Sequence, residues 1–290
     1  MLDHLNRFIK KIFIFIFLST MPFSVFAEEK NIDLIHTNWS FDGLFGTFNR
    51  ASLQRGYQVY QEVCSGCHSV QHLSYRNLYE KGGPEFSIEE AKVIASQFEL
   101  EDGPNSDGEM FTRPARLSDK FVKPYPNVKA SAAANGGAYP PDMSVLAKAR
   151  AGGADYIYSL LLGYDENPTD LELEDGVYYN KFMTGNKIKM SEPLYDGMVE
   201  YSDGTKSSKS QMAKDVTAFL VWASEPHLEA QHKMGFKTII YLVILIILVY
   251  MSKQKVWSRF GSKTKKDEET FDKVEKVVTE YEGEDPKTFK

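Results

Sequence analysis

The sequence predicts a mainly α domain that is exported and then held to a membrane by one C-terminal helix. Three observations lead to this fold class. Helical signals are local and separated by long connections rich in Gly and Pro, with little of the alternation that marks strands. An uncharged apolar run lies near the C-terminus, at residues 238–252. A basic and apolar leader stands at the N-terminus, at residues 1–27.

The leader has the pattern of a secretory signal peptide. Three cations precede an apolar run at residues 12–18, and the segment ends at Val25-Phe26-Ala27. A permanent span is disfavoured, because its uncharged part is shorter than the roughly 20 residues that a bilayer needs. Arg and Ser are too sparse for an organellar transit peptide, which favours export across a bacterial inner membrane. We expect the mature chain to begin at Glu28.

The exported domain, residues 28–235, contains four helical signals in order. They are the polar run Ser52 to Glu62, a capping box at Ser87 and Glu90 that opens a helix toward Phe98, the segment Ala154 to Leu162, and a second capping-box pattern at Ser208 and Gln211 before a helix that ends near Glu225. Turn-rich stretches at 101–105, 123–127 and 135–141 predict loops between them. Loops of this length in a compact domain are usually functional.

Residues 236–252 predict a transmembrane anchor. The run is apolar on every face, which suits lipid better than the half-buried site of a core helix. Six cations follow it within residues 253–266, against Lys233 and Lys237 just before it, so the positive-inside rule makes the C-terminus cytoplasmic. The tail, residues 253–290, has apolar residues at helical spacing: Phe271, Val274, Val278 and Tyr281. It is either a solvated amphipathic helix or a contact for another subunit.

The exported part of the chain is acidic. Residues 28–236 hold 30 Asp and Glu against 20 Lys and Arg, a net charge of −10. Two clusters stand out: Glu99, Glu101, Asp102, Asp107 and Glu109, and then Asp165, Glu166, Asp170, Glu172, Glu174 and Asp175. Such a surface either steers a cationic partner or only keeps the protein soluble. Its sign disfavours nucleic-acid binding.

Cys64-Ser65-Gly66-Cys67-His68 carries the most specific chemistry, because C-x-x-C-H is the attachment sequence of a c-type haem. Both thiols can add to one porphyrin while His68 reaches the iron. These are the only cysteines in the chain, and a structural zinc site would want four ligands. A redox dithiol would expect a neighbouring βαβ pattern, whereas a polar helix-like run precedes this motif.

A haem iron that only passes electrons needs a sixth ligand, and Met is the usual choice because it raises the reduction potential. The candidates are Met110, Met143, Met183, Met190, Met198 and Met212. Met190 is favoured because it lies in a polar loop that bears Pro193 and has no helical stripe to join. Met212 falls on the apolar face of a predicted helix and is the best core residue. His72 is a rival ligand, but four residues after His68 it is expected on the same side of the haem, where a surface role is simpler.

An ordered series of further motifs runs along the chain. They are Arg55-Gly56-Tyr57 before the haem motif, Asp102-Gly103-Pro104-Asn105, Pro124-Tyr125-Pro126-Asn127, Gly137-Ala138-Tyr139-Pro140-Pro141-Asp142, Ser159-Leu160-Leu161 with Gly163-Tyr164, and Met212-Ala213-Lys214-Asp215-Val216 with Glu225-Pro226. With these motifs the chain resembles the cytochrome c1 family over nearly all of residues 30 to 260. The resemblance implies a cytochrome c-like haem domain with long loop insertions.

Carried over residue by residue, the resemblance implies one covalent haem c on Cys64 and Cys67, with the iron bound by His68 and Met190. Arg150 and Tyr156 fall where the family contacts the haem propionates. Pro141 matches a position whose backbone carbonyl holds the ring of the ligand His through its other N–H.

The resemblance also implies the function. Electrons pass from a Rieske iron–sulfur protein to cytochrome c in a ubiquinol–cytochrome c reductase, the respiratory bc1 complex, with the anchor beside cytochrome b and the complex dimeric. This chain would have no substrate site of its own. Two other hypotheses remain open at this point. One is a free-standing membrane-anchored cytochrome that shuttles electrons to an oxidase, and the other is a periplasmic thiol–disulfide oxidoreductase.

One departure from the family pattern lies next to the sixth ligand. Many relatives carry consecutive prolines soon after the ligand Met, whereas Ser191 and Glu192 separate Met190 from Pro193 here. This difference places a carboxylate near the expected haem edge and predicts a shifted potential.

Overall fold

The computed structural model describes residues 32–169 and 171–282, and at 259–266 and 280–282 it describes the backbone alone. The predicted signal peptide, residues 1–27, and Asp170 of the second acidic cluster lie outside the described residues. The chain divides into two units, Met1–Leu34 and Ile35–Lys290. All the helices and strands of the described chain lie in the second unit.

Helices dominate the described chain, which confirms the prediction of a mainly α fold. They are α1 (Arg50–Val59), α2 (Ile88–Ser96), α3 (Val128–Ala134), α4 (Gly153–Leu162), α5 (Lys209–Ser224) and α6 (Leu228–Glu282). Two 3₁₀ turns, Tyr75–Leu78 and Thr184–Asn186, lie between them. Helix α1 begins at Asn49, whose side chain accepts from the Ser52 amide, and it continues into a π-helical turn at Tyr60–Cys64.

The two predicted capping boxes have different outcomes. At α2, the Ser87 side chain accepts from the Glu90 amide and Glu90 bonds back to the Ser87 amide, so the box is complete. At α5, Ser208 accepts from the Gln211 amide, but the Gln211 side chain donates to Asp215 at 2.9 Å. Only half of the second box forms, because a buried carboxylate one turn away competes for the Gln211 amide group.

Four short strands were not predicted. Strand β1 (Glu99–Asp102) pairs antiparallel with β2 (Phe111–Pro114), and β3 (Tyr178–Tyr179) pairs with β4 (Lys187–Ile188). The loop predicted at 101–105 therefore begins inside a strand. The hairpin is stabilised by Arg113, which forms ion pairs with Asp102 and Asp119. Strands this short carry too few residues for an alternation to be read.

The core lies where α1 crosses α5. Gly56 allows the close approach, since a Cβ atom there would stand 2.1 Å from the Asp215 carbonyl oxygen and 2.8 Å from Cβ of Phe219. Tyr60 stacks on Phe219 with ring centroids 5.5 Å apart. Fully buried side chains such as Leu53 and Trp222 fill the rest. This core packs directly behind the turn that carries the two cysteines.

Helix α6 contains a stretch long and apolar enough to cross a membrane, Leu228–Ser258, and an 18-residue window within this stretch has a mean hydropathy of 2.3. None of that window is buried within the protein. The predicted anchor, residues 236–252, falls inside this stretch. The helix then continues through the tail to Glu282, and Phe271, Val274 and Val278 are exposed along it.

Candidate functional site

The haem motif is folded into one compact turn. The amide of Ser65 donates to the Tyr60 carbonyl at 2.8 Å, which closes the π-helical turn at the end of α1. The Cys64 carbonyl then accepts from the amides of Cys67 at 3.1 Å and His68 at 2.9 Å. Both cysteines and the histidine are therefore within one turn of backbone, and both thiols are free. A π turn inside an α-helix is frequently found at a functional site.

The ring of His68 is held through one nitrogen. Its Nδ1 lies 2.9 Å from the carbonyl oxygen of Pro141. An imidazole that donates from Nδ1 presents Nε2 to a metal, which is how metal-binding histidines are usually oriented. Burial lowers the pKa of His68, although the Pro141 carbonyl and the nearby Asp142 carboxylate act in the opposite direction. A lowered pKa favours the neutral imidazole, the form that binds metal.

The loop that carries Pro141 is fastened to the haem motif by Asp142. The Asp142 carboxylate accepts from the Ser69 hydroxyl at 2.7 Å, from the Gln71 amide at 3.0 Å and from the Ser144 amide at 2.9 Å. The Met143 amide donates to the Ser69 carbonyl at 2.8 Å. These bonds fix the Pro141 carbonyl relative to His68. Sequence reasoning used Asp142 for the resemblance only and gave it no role at the site, although an Asp that follows two prolines is a recognisable turn signal.

The structure separates the six candidate methionines by burial. Met143 and Met212 are buried in the core, whereas Met110 and Met198 are about half exposed at the surface, at 54% and 49%. Met183 and Met190 are of intermediate exposure. The sulfur of Met183 contacts the Tyr156 hydroxyl at 3.6 Å, so it already has a polar neighbour. Met190 remains the most suitable candidate on this geometry. His72 is exposed.

Met190 lies just after β4, on a segment tied to the end of α4. The Tyr164 hydroxyl donates to the Met190 carbonyl at 3.1 Å, and fully buried Asn180 donates its side-chain amide to the Leu160 carbonyl at 2.8 Å. Sequence reasoning singled out Gly163-Tyr164 for the resemblance only and did not anticipate this contact.

Glu192, the carboxylate that departs from the family pattern, is not left alone. It forms an ion pair with Lys209, the first residue of α5, and both side chains are about a quarter exposed, at 28% and 25%. The charge expected near Met190 is therefore matched by a cation. The two residues are 17 positions apart, and neither carries a local signal that would have predicted the pair.

Arg150 and Tyr156 are placed differently from each other. Arg150 is exposed and its guanidinium donates to the Ala149 carbonyl at 3.0 Å. Among the described residues it forms no ion pair, so its charge is available to an anionic group. Tyr156 is half-buried on α4, with its hydroxyl turned to Met183. Within the described chain, no side-chain hydrogen bond or ion pair joins Arg150 to Tyr156.

The motif's surroundings suit attachment better than thiol exchange. Burial raises the pKa of Cys64 to about 12, with a smaller contribution from Cys67. A thiol–disulfide oxidoreductase needs the opposite, a lowered pKa that exposes a thiolate. Among the described residues, no group of three or more His, Cys, Asp or Glu side chains is arranged to hold a metal ion. Two thiols in one turn beside an imidazole held through Nδ1 fit a c-type haem.

The two acidic clusters differ in how much of their negative charge is paired with a cation. In the first, on the β1–β2 hairpin, Asp102 is paired with Arg113, while Glu101, Asp107 and Glu109 are exposed. In the second, all the described members are exposed: Asp165, Glu166, Glu172, Glu174 and Asp175. The second cluster therefore presents the less compensated charge.

Comparison with known proteins places this chain. A family model described as the cytochrome C1 family matches residues 39–260. Cytochrome c1 of Rhodospirillum rubrum is 41% identical over 247 residues, which cover 80% of this chain and 90% of that protein. The mitochondrial cytochrome c1 heme protein of Saccharomyces cerevisiae is 47% identical over 241 residues, covering 83% and 76%. Cytochrome b/c1 of Bradyrhizobium diazoefficiens is 44% identical over 239 residues, and the chain spans only 35% of that protein.

Proposed function

Because this chain belongs to the cytochrome c1 family, we propose that it is the haem-bearing, electron-carrying subunit of a ubiquinol–cytochrome c reductase, the respiratory bc1 complex. The observation that carries the proposal is the Cys64–His68 turn, whose histidine ring is already held through Nδ1 by Pro141 at 2.9 Å. The fixed ring leaves Nε2 as the metal-binding nitrogen.

These contacts support the proposed site. Cys64 and Cys67 would attach one haem c through their sulfur atoms, and His68 and Met190 would bind its iron. Arg150 is exposed and lacks an anionic partner among the described side chains, which supports a role in neutralising a propionate. Tyr156 lies on α4 beside Met183 and is proposed to face the same group. Pro141 acts through its backbone carbonyl on His68.

When bound, the haem supplies a reversible one-electron iron couple. This chain's residues hold it, exclude water from it and set its potential. Because His68 and Met190 would both hold the iron, the haem would pass electrons without binding a substrate, so electron transfer would be outer-sphere and this subunit would make and break no bonds. We propose that the electron comes from a Rieske iron–sulfur protein, that it leaves to a cytochrome c docked on the acidic surface, and that ubiquinol is oxidised by other subunits.

The proposed arrangement in the membrane is single-pass. Residues 1–27 are the signal peptide, residues 28–235 form the haem domain on the periplasmic side of a bacterial inner membrane, residues 236–252 are the anchor, and residues 253–290 are the cytoplasmic tail. The exposed apolar surface of α6 supports this assignment, since none of its apolar 18-residue window is buried within the chain. Cytochrome b is proposed to cover part of it, in a dimeric complex.

A reduced-minus-oxidised visible spectrum of the chain, purified by a tag from native membranes in mild detergent, tests the proposal. A c-type band together with b-type bands is expected, because the chain should travel with cytochrome b. A c-type band alone would favour a free-standing shuttle to an oxidase. The absence of any haem band would favour a thiol–disulfide oxidoreductase that uses the thiols of Cys64 and Cys67.

A further inference from the structure

An apolar loop projects beside the start of α6. This loop, residues 40–47, places Leu44 and Phe45 at its tip, and these side chains are 55% and 73% exposed. The amide of Thr47 donates to the Ser40 carbonyl at 2.9 Å and closes the neck of the loop. At the tip, the amide of Gly46 donates to the Gly43 carbonyl at 3.2 Å. Contiguous exposed apolar patches, unlike single exposed apolar residues, mark interaction sites.

The shape of the tip is fixed by its glycines. Gly43 has a φ of 79°, in the region that favours glycine. At Gly46 a Cβ atom would stand 2.2 Å from the carbonyl oxygen of Phe41, so only glycine fits the fold-back there. Phe41 itself is buried and stacks on Trp39. Leu44 and Phe45 therefore lie on a preorganised turn and not on a flexible segment.

The loop is fastened along one side of α6. Glu229 accepts from the Phe48 amide at 2.9 Å, next to the neck of the loop. His232 Nδ1 lies 3.3 Å from the Gly46 carbonyl. At the tip, the ring of Phe45 packs edge-on against Phe236, with centroids 5.8 Å apart. Seven residues of helix cover about 10 Å, so the tip reaches about that far down α6, toward the apolar stretch.

The depth of Phe45 relative to the bilayer follows from the length of the span. The uncharged residues 238–252 cover only about 22 Å as helix, whereas the hydrocarbon core of a bilayer is about 30 Å thick. Flanking residues must make up part of the difference, which brings Phe236 and hence Phe45 to the boundary of the apolar layer. Lys233 and Lys237 are exposed at this level and can meet lipid phosphates.

We propose that the Leu44–Phe45 tip inserts into the headgroup boundary of the bilayer and forms a second membrane contact, which holds the haem domain at a fixed tilt on its single span. Its occupant is lipid, because the tip is continuous with the proposed anchor and aromatic side chains at such a level favour the interface. The inference rests on the anchor assigned under the proposed function.

The test places the photo-crosslinking residue p-benzoylphenylalanine at position 45 of the full chain and irradiates native membranes. Position 93 is the matched control, since Val93 is an apolar residue of α2 that is 60% exposed. We expect phospholipid adducts at position 45 to exceed those at position 93 by about tenfold, because a side chain in the headgroup layer is in continuous contact with lipid. The c-type absorbance band confirms that each labelled chain has folded, and Leu44 is the second position if the first fails to accumulate.

Two other results would overturn the proposal. An adduct of position 45 with another protein would assign the tip to a subunit interface, and equal yields at positions 45 and 93 would leave it in water. Ile246, in the middle of the span and 65% exposed, is a third position for the photo-crosslinking residue. It tests the proposed anchor separately from the loop contact. Lipid adducts at Ile246 without any at position 45 would refute the loop contact alone, whereas none at either position would overturn the anchor as well.

Discussion

At the scale of single residues, the identity of the sixth ligand is the first matter to test. Met190 and Met183 are the two candidates of intermediate exposure, and the Met183 sulfur already has a polar partner in the Tyr156 hydroxyl. We predict that Met190→Ala lowers the reduction potential by on the order of hundreds of millivolts, since axial ligands set haem potentials over about 0.8 V. A spectroelectrochemical titration measures it.

Met183→Ala is the matched control, because it removes the same thioether from the same part of the chain. It should leave the ligand field unchanged and shift the potential only slightly. If the reduction potential fell strongly in Met183→Ala and not in Met190→Ala, Met183 would be the sixth ligand.

The ion pair of Glu192 with Lys209 predicts a smaller effect on the same quantity. Lys209→Met leaves the Glu192 carboxylate uncompensated two residues from Met190, and a nearby negative charge stabilises the oxidised form. We expect the potential to fall by on the order of tens of millivolts, as a unit charge screened at an effective dielectric constant of about 20 implies. Glu192→Gln should raise the potential, and the double variant should return close to the parent.

Lys206→Met provides the comparison for that series. Lys206 is exposed and forms no ion pair among the described residues, so removing its charge should change the potential far less. If Lys206→Met and Lys209→Met shift the potential equally, the effect is one of net charge and the pair has no special role.

At the scale of elements, the crossing of α1 and α5 is the contact on which the haem turn rests. Gly56→Ala would place a Cβ atom 2.1 Å from the Asp215 carbonyl oxygen, an atom of the backbone that cannot rotate away. We expect the free energy of unfolding to fall by about 1–3 kcal/mol or more, the usual range for overpacking a core. Denaturant unfolding of the haem-loaded protein measures it.

Gly235→Ala is the appropriate control for that variant, since a Cβ atom there meets nothing within 4 Å. A methyl group at Gly235 should be neutral or slightly stabilising, because alanine favours helix. Equal effects of the two substitutions would mean that the α1–α5 crossing is looser than its geometry indicates.

The β1–β2 hairpin predicts an acid-sensitive contribution to stability. Hydrogen bonding to Arg113 lowers the pKa of Asp119, and likewise that of Asp102. A carboxyl whose pKa is lower in the folded state stabilises above its unfolded pKa, about 3.9, and loses that contribution as the pH falls through the folded value. Asp119→Asn should therefore flatten the fall in unfolding free energy below about pH 4, measured by urea titrations at several pH values.

Asp107→Asn is the control in the same hairpin. Its exposed carboxylate forms no ion pair among the described residues, so the acid limb should keep its slope. A flattened limb in Asp107→Asn as well would assign the effect to overall charge.

How far the sequence predicted these elements depends on the range of the interactions that form them. The cap of α2 at Ser87 and Glu90 is local and was predicted, as was the run that leads into Cys64. The π turn at Tyr60–Cys64 was not predicted, and its first residue, Tyr60, stacks on Phe219 from another helix, a contact that no local pattern indicates. The fastening of Pro141 by Asp142 and the pairing of Glu192 with Lys209 join distant segments, so no pattern in one stretch indicates them.

At the scale of the whole molecule, the acidic surface carries the last prediction. Glu172, Glu174 and Asp175 are exposed members of the second cluster. We expect their replacement by Gln, Gln and Asn to slow the reduction of a basic cytochrome c by about tenfold at low salt. The loss should shrink as salt rises, because the Debye length is only about 10 Å at 0.1 M. Stopped-flow rates over a salt series measure it.

The control uses Asp267, Glu268 and Glu269, which are also exposed and lie on the tail. Neutralising them removes the same charge from a surface proposed to face the cytoplasm. If both triple variants slowed the reaction equally, overall net charge would explain the effect and the second cluster would not be a docking surface.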